Sequence, residues 1–197
     1  MSLVDLIAQA DERGLAASGL ACLDRCLPLL GGDDELLRPL WASLADGSDW
    51  AGGLTLARAA LGSAEPADDE DEAVRLTRRM LETAPAERTA AAVRPWADAC
   101  SVASLRVHRL LDPAADGSPA PDGSDGPDGP DAGRAGDTAG LPPLVAAELR
   151  RQAAVLELLA GHGAQGVRGA LEVSVEGRRV LRAVVSRRAR SAAEPGA

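Results

Sequence analysis

The stretch LAASGLACLDRCLPLL, residues 15–30, decides the fold that this sequence predicts. On a helix of about 3.6 residues per turn, its apolar and small side chains share one face. That face consists of Leu15, Gly19, Cys22, Leu23, Cys26 and Leu30. Ser18, Asp24 and Arg25 lie on the other face. We therefore expect a central core helix here, with its two charged residues directed away from the core.

The 197-residue chain has a normal globular share of hydrophobic residues, 46 %, but an unusual set of side chains. It contains three Trp and neither Phe nor Tyr, and all 21 of its basic residues are Arg. A core must therefore be built mainly from Leu, Val and Ala, which favours helices that pack closely through small residues. The length allows one domain, or a small domain with appendages.

The formal net charge of −9 is distributed unevenly along the chain. Residues 1–112 have a net charge of −8, residues 113–140 of −5 and residues 141–197 of +4. The overall excess of acids argues against general affinity for nucleic acid. The acidic first part and the basic last part would either attract each other or be solvated separately.

The beginning of the chain does not resemble a signal peptide, because Asp5 interrupts its apolar stretch and no basic segment precedes it. No run of residues approaches the ~18 apolar positions needed to cross a membrane. Three cysteines are too few for a disulfide framework. These features predict a cytoplasmic protein without a membrane partner.

Local signals predict helices throughout residues 1–112. Ser2 and Asp5 form a capping-box pattern at the first helix. Pro28 is expected to end or kink the central helix near Leu27, and the Gly31–Gly32 pair completes the stop. We interpret residues 1–112 as a mainly α domain, either a helical bundle or a short helical array.

The second half of that domain contains three further helix signals. Ser48 is expected to cap a helix that ends near Leu61. The acidic residues 69–72 favour the start of a helix that ends near Thr83. Pro95 is expected to separate a short Ala-rich helix from a strongly patterned one over residues 96–111.

Residues 113–140 differ from the rest of the chain in composition. They repeat Pro-Asp-Gly at residues 121–123 and 127–129 and contain no apolar side chain other than Ala. Such a segment cannot bury enough apolar surface to offset the entropy of ordering. The composition predicts a disordered, acidic linker.

The last part of the chain, residues 141–186, predicts a long helix followed by a small β-hairpin. The helix has an apolar face with Val145, Leu149 and Leu156, and Glu148 and Gln152 are expected on its polar face. Apolar residues alternate with polar ones between residues 171 and 185, which is typical of strands with a turn at residues 176–179. This part is expected either to dock on the first domain or to pair with a second copy through the hairpin. Residues 187–197 predict a disordered tail.

Four residues have the chemistry of zinc ligands, namely Cys22, Cys26, Cys100 and His108. Their spacing matches no usual zinc motif, and the cysteines lie on apolar helix faces, where a free thiol acts as a small hydrophobic group. We therefore favour a packed core and assign neither a metal site nor a cofactor.

Only two side chains are candidates for acid–base chemistry at neutral pH, His108 and His162. His162 lies in the glycine-rich segment 161–169, which formally contains Gly-x-Gly-x-x-Gly. That segment follows a helix instead of a strand, so it does not have the context of a dinucleotide site. We interpret it as a connection and assign no catalytic residue.

Two clusters of charged residues are the remaining candidates for a binding site. Asp68–Glu72 lacks the ligand spacing of a calcium loop and is interpreted as a solvated helix cap. The basic cluster consists of Arg178, Arg179, Arg182, Arg187, Arg188 and Arg190. It has no aromatic neighbour for base stacking, so it favours protection of a sheet edge over contact with nucleic acid.

The sequence therefore favours a non-catalytic protein–protein interaction or regulatory module with an unidentified protein partner. A nucleic-acid-linked regulator that uses the Arg-rich C-terminus is the first alternative. An enzyme with a site near His162 or the cysteines is the second.

Overall fold

The fold is described from a computed structural model that covers residues 1–61, 71–112, 130–136 and 138–193. Within these residues the secondary structure is entirely helical, which confirms the mainly α class. The α-helices are α1 Leu3–Gln9, α2 Glu12–Cys26, α3 Arg38–Asp46, α4 Trp50–Leu61, α5 Glu72–Glu82, α6 Ala90–Leu111, α7 Pro130–Ala135, α8 Pro143–His162 and α9 Gly166–Ala193. Short 3₁₀ helices cover Leu27–Leu30 and Gly163–Gln165.

Helix α2 lies at the centre of the fold and contacts α6, α8 and α9. Every residue from Gly14 to Cys26 is buried, so the helix has no solvent-facing side. Its composition explains this placement, because Gly, Ala, Ser and Cys side chains let neighbouring helices approach from several directions. The core helix that the sequence predicts at residues 15–30 is confirmed, but its polar face is buried as well.

One close approach fixes α2 against α6. A Cβ atom built on Gly19 would lie 2.5 Å from Cζ3 of Trp96, so the ring occupies the space of a side chain. Trp96 is held there by a 2.9 Å hydrogen bond from its Nε1 to the carbonyl oxygen of Met80. It also makes an edge-to-face contact with Trp50, at 6.1 Å between ring centroids.

The local helix signals are largely confirmed. The capping box joins Ser2 and Asp5 as predicted, and the chain leaves α2 through a 3₁₀ turn that contains Pro28. Gly31 then adopts a φ of +66°, a left-handed conformation that glycine adopts readily. The predicted helix ends at Leu61 and near Thr83 match α4 and α5.

The predicted break at Pro95 is wrong, because α6 is continuous from Ala90 to Leu111. Pro95 lies on the exposed side of this helix, where its ring meets solvent. The missing N–H costs one intrahelical hydrogen bond near the start of a long helix, and that helix is held by packing along its length.

The predicted β-hairpin is also wrong, because residues 171–185 belong to the single helix α9. The stripe of α9 that faces the core consists of Val167, Ala170, Ser174, Gly177, Arg178 and Leu181. Because small and charged residues occupy four of these six positions, the helical period is hidden in the sequence, and the alternating Leu and Val residues imitate a strand. With no hairpin there, the predicted pairing of two copies through it loses its structural basis.

Part of the predicted linker and the described part of the predicted tail are helical. Pro130–Ala135 form α7, and Arg134 of this helix pairs with Asp98 of α6. Helix α9 includes residues 187–193. The remaining parts of these two predictions, residues 113–129, residue 137 and residues 194–197, lie outside the described residues.

Residues from the two predicted folding parts share one hydrophobic core. The core cluster contains Leu15 and Leu105 from residues 1–112 together with Leu156 and Leu181 from the later part. Helix α8 contacts α1, α2 and α6, and α9 contacts α2 and α3. Helices α8 and α9 therefore complete the bundle around α2.

The Gly19 contact leads to a stability prediction. Gly19→Ala should lower the free energy of unfolding by about 1–3 kcal/mol, because the new methyl group overlaps the Trp96 ring. Chemical denaturation followed by circular dichroism measures this change.

Gly161→Ala is the matched control, because a Cβ there meets nothing within 4 Å. This exposed helical position should gain up to about 1 kcal/mol from alanine. An equal effect of the two substitutions would contradict the close packing of α2 on α6.

Candidate functional site

The most unusual feature of the core is a buried ion pair between α2 and α8. Arg25 donates from Nε to Glu148 Oε2 at 2.7 Å and from Nη2 to Glu148 Oε1 at 2.6 Å. Both side chains have 0 % exposure, and the two residues are 123 positions apart in sequence. Two parallel hydrogen bonds between a guanidinium and a carboxylate form the strongest geometry available to such a pair.

Further polar side chains from α6 and α8 complete the environment of Glu148. The Ser104 hydroxyl donates to Glu148 Oε1 at 2.7 Å, and Gln152 Nε2 donates to the same oxygen at 2.9 Å. Ser101 in turn donates to Gln152 Oε1 at 2.6 Å. These five residues, with His108, form what we call the Arg25–Glu148 cluster.

The charge state of the cluster follows from these contacts. Burial alone would raise the pKa of Glu148, but the Arg25 charge and the hydrogen bonds from Arg25 and Gln152 lower it to about 2. Burial likewise disfavours the charged guanidinium, yet the Glu148 carboxylate raises the pKa of Arg25 above its ordinary value. The pair is therefore ionised at neutral pH in a site that solvent does not reach.

His108 adjoins this pair as a neutral group. Its Nδ1 lies 2.8 Å from the carbonyl oxygen of Ser104, and since a carbonyl only accepts, Nδ1 carries the proton. Nε2 then faces Glu148 Oε2 at 3.6 Å. Burial lowers the pKa of His108, an effect that Glu148 and the bond to Ser104 oppose and that Arg25 and Arg151 reinforce.

A second set of ion pairs joins α9 to α2. Arg178 donates to Asp24 Oδ1, and Trp41 Nε1 donates to Asp24 Oδ2 at 2.8 Å. Arg178 and Arg182 also pair with Asp34, which precedes α3. Asp24 and Arg178 are almost fully buried, so this contact is part of the core and is not available to a ligand.

The cysteines lie within the same core. Arg25 Nη2 is 3.5 Å from Cys22 Sγ, and Cys26 Sγ is 3.8 Å from Ser104 Oγ. Burial raises the pKa of Cys22 to about 12 and also raises the pKa of Cys26 and Cys100. In the described part of the chain, no group of three or more His, Cys, Asp or Glu side chains is placed to hold a metal ion.

The other predicted candidates lie apart from this cluster. His162 is exposed at the end of α8, and the glycine-rich segment 161–169, interpreted from the sequence as a connection, comprises the end of α8, a 3₁₀ turn and the start of α9. Of the cluster Asp68–Glu72, residues 68–70 lie outside the described residues. Asp71 accepts from the backbone N–H of Ala73 at 2.7 Å and caps α5, and Glu72 pairs with Arg106.

The basic cluster of α9 divides between core and solvent. Arg178 is buried, and Arg188 donates to the carbonyl oxygen of Leu110 at the end of α6, at 2.6 Å. Arg179, Arg182, Arg187 and Arg190 are exposed and share one side of the helix. We call these four residues the α9 Arg face.

Sequence reasoning misses Asp24, Arg25, Glu148 and Gln152 as core residues, because charged and amide side chains are assigned to solvent by default. One signal was available: Ser101, Ser104 and His108 recur at helical spacing on the face of α6 that also carries Cys100. A polar stripe on a core-facing side needs polar partners. Those partners are Gln152 and Glu148, which lie 51 positions from Ser101 and 44 positions from Ser104, so a local pattern does not reveal them.

The geometry of the cluster fits a structural role better than a chemical one. Its charged groups pair with each other, and each of its members is buried. A substrate has no path to Glu148 or His108 without separation of α2, α6 and α8.

Within the described residues, no helix has the length and apolar character needed to cross a membrane. No family model, curated protein or solved structure matches the chain.

Loss of one partner of the Arg25–Glu148 pair is predicted to destabilise the fold strongly. Glu148→Gln should lower the free energy of unfolding by about 3–5 kcal/mol, because Arg25 is left charged and buried without a counter-charge. Chemical denaturation measures the change. The control is Glu172→Gln, which removes a carboxylate from an exposed pair with Arg168 and should cost at most about 1 kcal/mol. Similar costs for both substitutions would show that the buried pair is not needed.

The burial of His108 predicts that the free energy of unfolding depends on pH. The unfolded chain binds a proton to this residue below its ordinary pKa near 6.5, whereas burial lowers the pKa in the folded chain, which binds the proton only at a lower pH. The free energy of unfolding should therefore fall as the pH drops from 7 towards 5, by about 1.4 kcal/mol for each unit between the two pKa values.

The two histidines provide their own comparison in this experiment. His108→Gln should flatten the pH dependence of the unfolding free energy between pH 7 and 5, and His162→Gln should leave it unchanged. An unchanged slope in His108→Gln would contradict a neutral, buried imidazole.

Proposed function

We propose that this protein is a non-catalytic protein–protein interaction module that binds an acidic segment of a partner protein through the α9 Arg face. One observation carries the proposal: four arginines with exposed side chains share one side of a helix that has no acidic residue from Gly177 to Ala193. The face extends from residue 179 to residue 190, about 16 Å along the helix axis.

The face keeps most of its charge available for a partner. Arg182 is bound to Asp34, but Arg179, Arg187 and Arg190 form no hydrogen bond or ion pair with a residue that the structure describes. Guanidinium groups bind carboxylates in a planar, two-point geometry, so a row of them favours a segment rich in Asp or Glu. Ala183, Ser186 and Ala189 leave space for that segment to approach the helix.

The charge distribution supports a short acidic peptide over a nucleic acid. A duplex continues beyond the face with about one negative charge per 1.7 Å, so it would meet the acidic remainder of a chain whose net charge is −9. A peptide needs to cover only the face. No aromatic residue occurs after Trp96, so stacking on bases does not contribute either.

The burial of reactive groups supports a non-catalytic role. His108 and the cysteines lie in the core, and the exposed His162 forms no hydrogen bond with a described residue. A general base acts together with a second group that orients it, and no such partner adjoins His162 among the described residues. Among the residues that the structure describes, no site therefore favours the enzyme alternative.

The test compares two variants with the same change in charge. The first replaces Arg179, Arg187 and Arg190 by Gln, and the control replaces the exposed Arg38, Arg150 and Arg168 by Gln. Each is immobilised and exposed to a nuclease-treated lysate of the source cells, and captured proteins are identified by mass spectrometry. Binding of a poly-glutamate peptide and of a duplex DNA oligonucleotide is then measured by fluorescence anisotropy at low and high salt.

We expect a partner with an acidic segment that wild type and control retain and the Arg-face variant loses. Peptide affinity should fall at least about tenfold in that variant and weaken with salt. Preferential binding of the DNA would instead favour the nucleic-acid alternative. Equal capture by both variants would contradict the assignment of the surface.

A further inference from the structure

A groove between α5 and α6, lined by none of the residues of the α9 Arg face, has the size of a small-molecule site. It encloses about 680 Å³, within the range of about 300–1,000 Å³ that is typical of ligand pockets. Its base is formed by Met80, Trp96 and Cys100, each less than 5 % exposed. Leu76 of α5 and Ala99 and Ala103 of α6 form its sides.

The groove exists because the two helices contribute side chains of unequal size. Helix α5 buries Ala73, Thr77, Met80 and Leu81 against its neighbours and leaves Leu76 at the edge. Helix α6 presents alanines beside it, which are too small to fill the space above Trp96. The result is an apolar surface open to solvent, which a ligand with an apolar part would cover.

The charged groups at the rim are cationic. Arg79 and Arg106 border the groove and are both exposed. Arg106 forms a 3.1 Å contact with Glu72 in which both side chains are nearly half exposed, an arrangement that holds weakly. Arg79 has no acidic partner among the described residues. One positive charge is therefore free beside an apolar floor.

We propose that this groove binds a long-chain monocarboxylate, with the alkyl chain over Met80 and Trp96 and the carboxylate on Arg79. The floor has no polar side chain other than the buried thiol of Cys100, so the bound part of the ligand needs no hydrogen-bonding groups. A single carboxylate matches the Arg79 guanidinium, which has no acidic partner in the described part of the chain. On α6 the lining extends from Ala92 to Arg106, but on the α5 side it extends only about 10 Å, from Leu76 to Thr83 just after the helix, so an amphipathic helix of a partner would find few anchors on that side.

The experiment uses dodecanoate below its micelle concentration, with dodecanol as the uncharged probe. Isothermal titration calorimetry gives affinity and stoichiometry for the full-length protein. Tryptophan emission gives a second readout, because Trp96 forms part of the floor. Arg79→Gln removes the free charge, and Ala99→Leu reduces the space at an exposed position where the fold tolerates a larger side chain.

Two controls exclude binding elsewhere. Arg150→Gln removes an exposed arginine of α8 outside the groove, and Leu56→Asn removes an exposed apolar residue of α4. Neither should change the affinity for dodecanoate.

The expected result is one dodecanoate per chain. Arg79→Gln should weaken dodecanoate about tenfold and leave dodecanol unchanged, whereas Ala99→Leu should weaken both. The proposal is overturned if wild type binds no dodecanoate, if Arg79→Gln binds it equally well, or if Leu56→Asn has the larger effect. Binding of an amphipathic acidic peptide in place of dodecanoate would overturn it in favour of a protein ligand.

Discussion

The Arg25–Glu148 ion pair is the interaction on which the rest of the structure depends. Removing two charges from water costs several kcal/mol for each ion, and only good geometry with additional hydrogen bonds offsets that cost. Glu148 obtains such bonds from Ser104 and Gln152, which lie on two different helices. The positions of α2, α6 and α8 are therefore coupled, because a shift of α2 or α8 separates the two buried charges and a shift of α6 removes the hydrogen bond from Ser104 to Glu148.

The pairing of buried charges also distinguishes the side of α9 that faces the core from the side that is available to a partner. On α9, Arg178 turns inward to Asp24, while Arg179, Arg187 and Arg190 face solvent on the opposite side. Close contacts at glycines reinforce the inward side, since a Cβ on Gly177 would overlap the Arg25 side chain. Reactive groups such as the cysteines are enclosed, which is why the proposed functions are binding functions on the outer faces of α5, α6 and α9.

Local chemistry was sufficient to predict much of the fold, and long-range pairing explains what was missed. The capping box at Ser2 and the stop at Gly31 depend on neighbours a few residues away, so the sequence contains them. Arg25 is buried because Glu148, far away in the sequence, pairs with it. The helical pattern of α9 becomes visible only when Arg178 is counted among the residues that face the core. Neither fact can be read from a local pattern. Among the site candidates, the packed cysteines agree with the preferred interpretation, whereas the apolar groove above Trp96 was not visible as a site at all, because alanines there look like ordinary helix residues.

Helices α8 and α9 complete the core around α2, so we expect these helices to unfold together. Native-state hydrogen exchange followed by mass spectrometry tests it on the unmodified chain, because it resolves the opening free energy of each helix. We predict that the amides of α8 and of α9 up to Leu181 exchange with the same opening free energy as those of α2 and α6. Rapid exchange throughout α8 and α9, while α2 and α6 stay protected, would contradict the claim and show that the core forms without them.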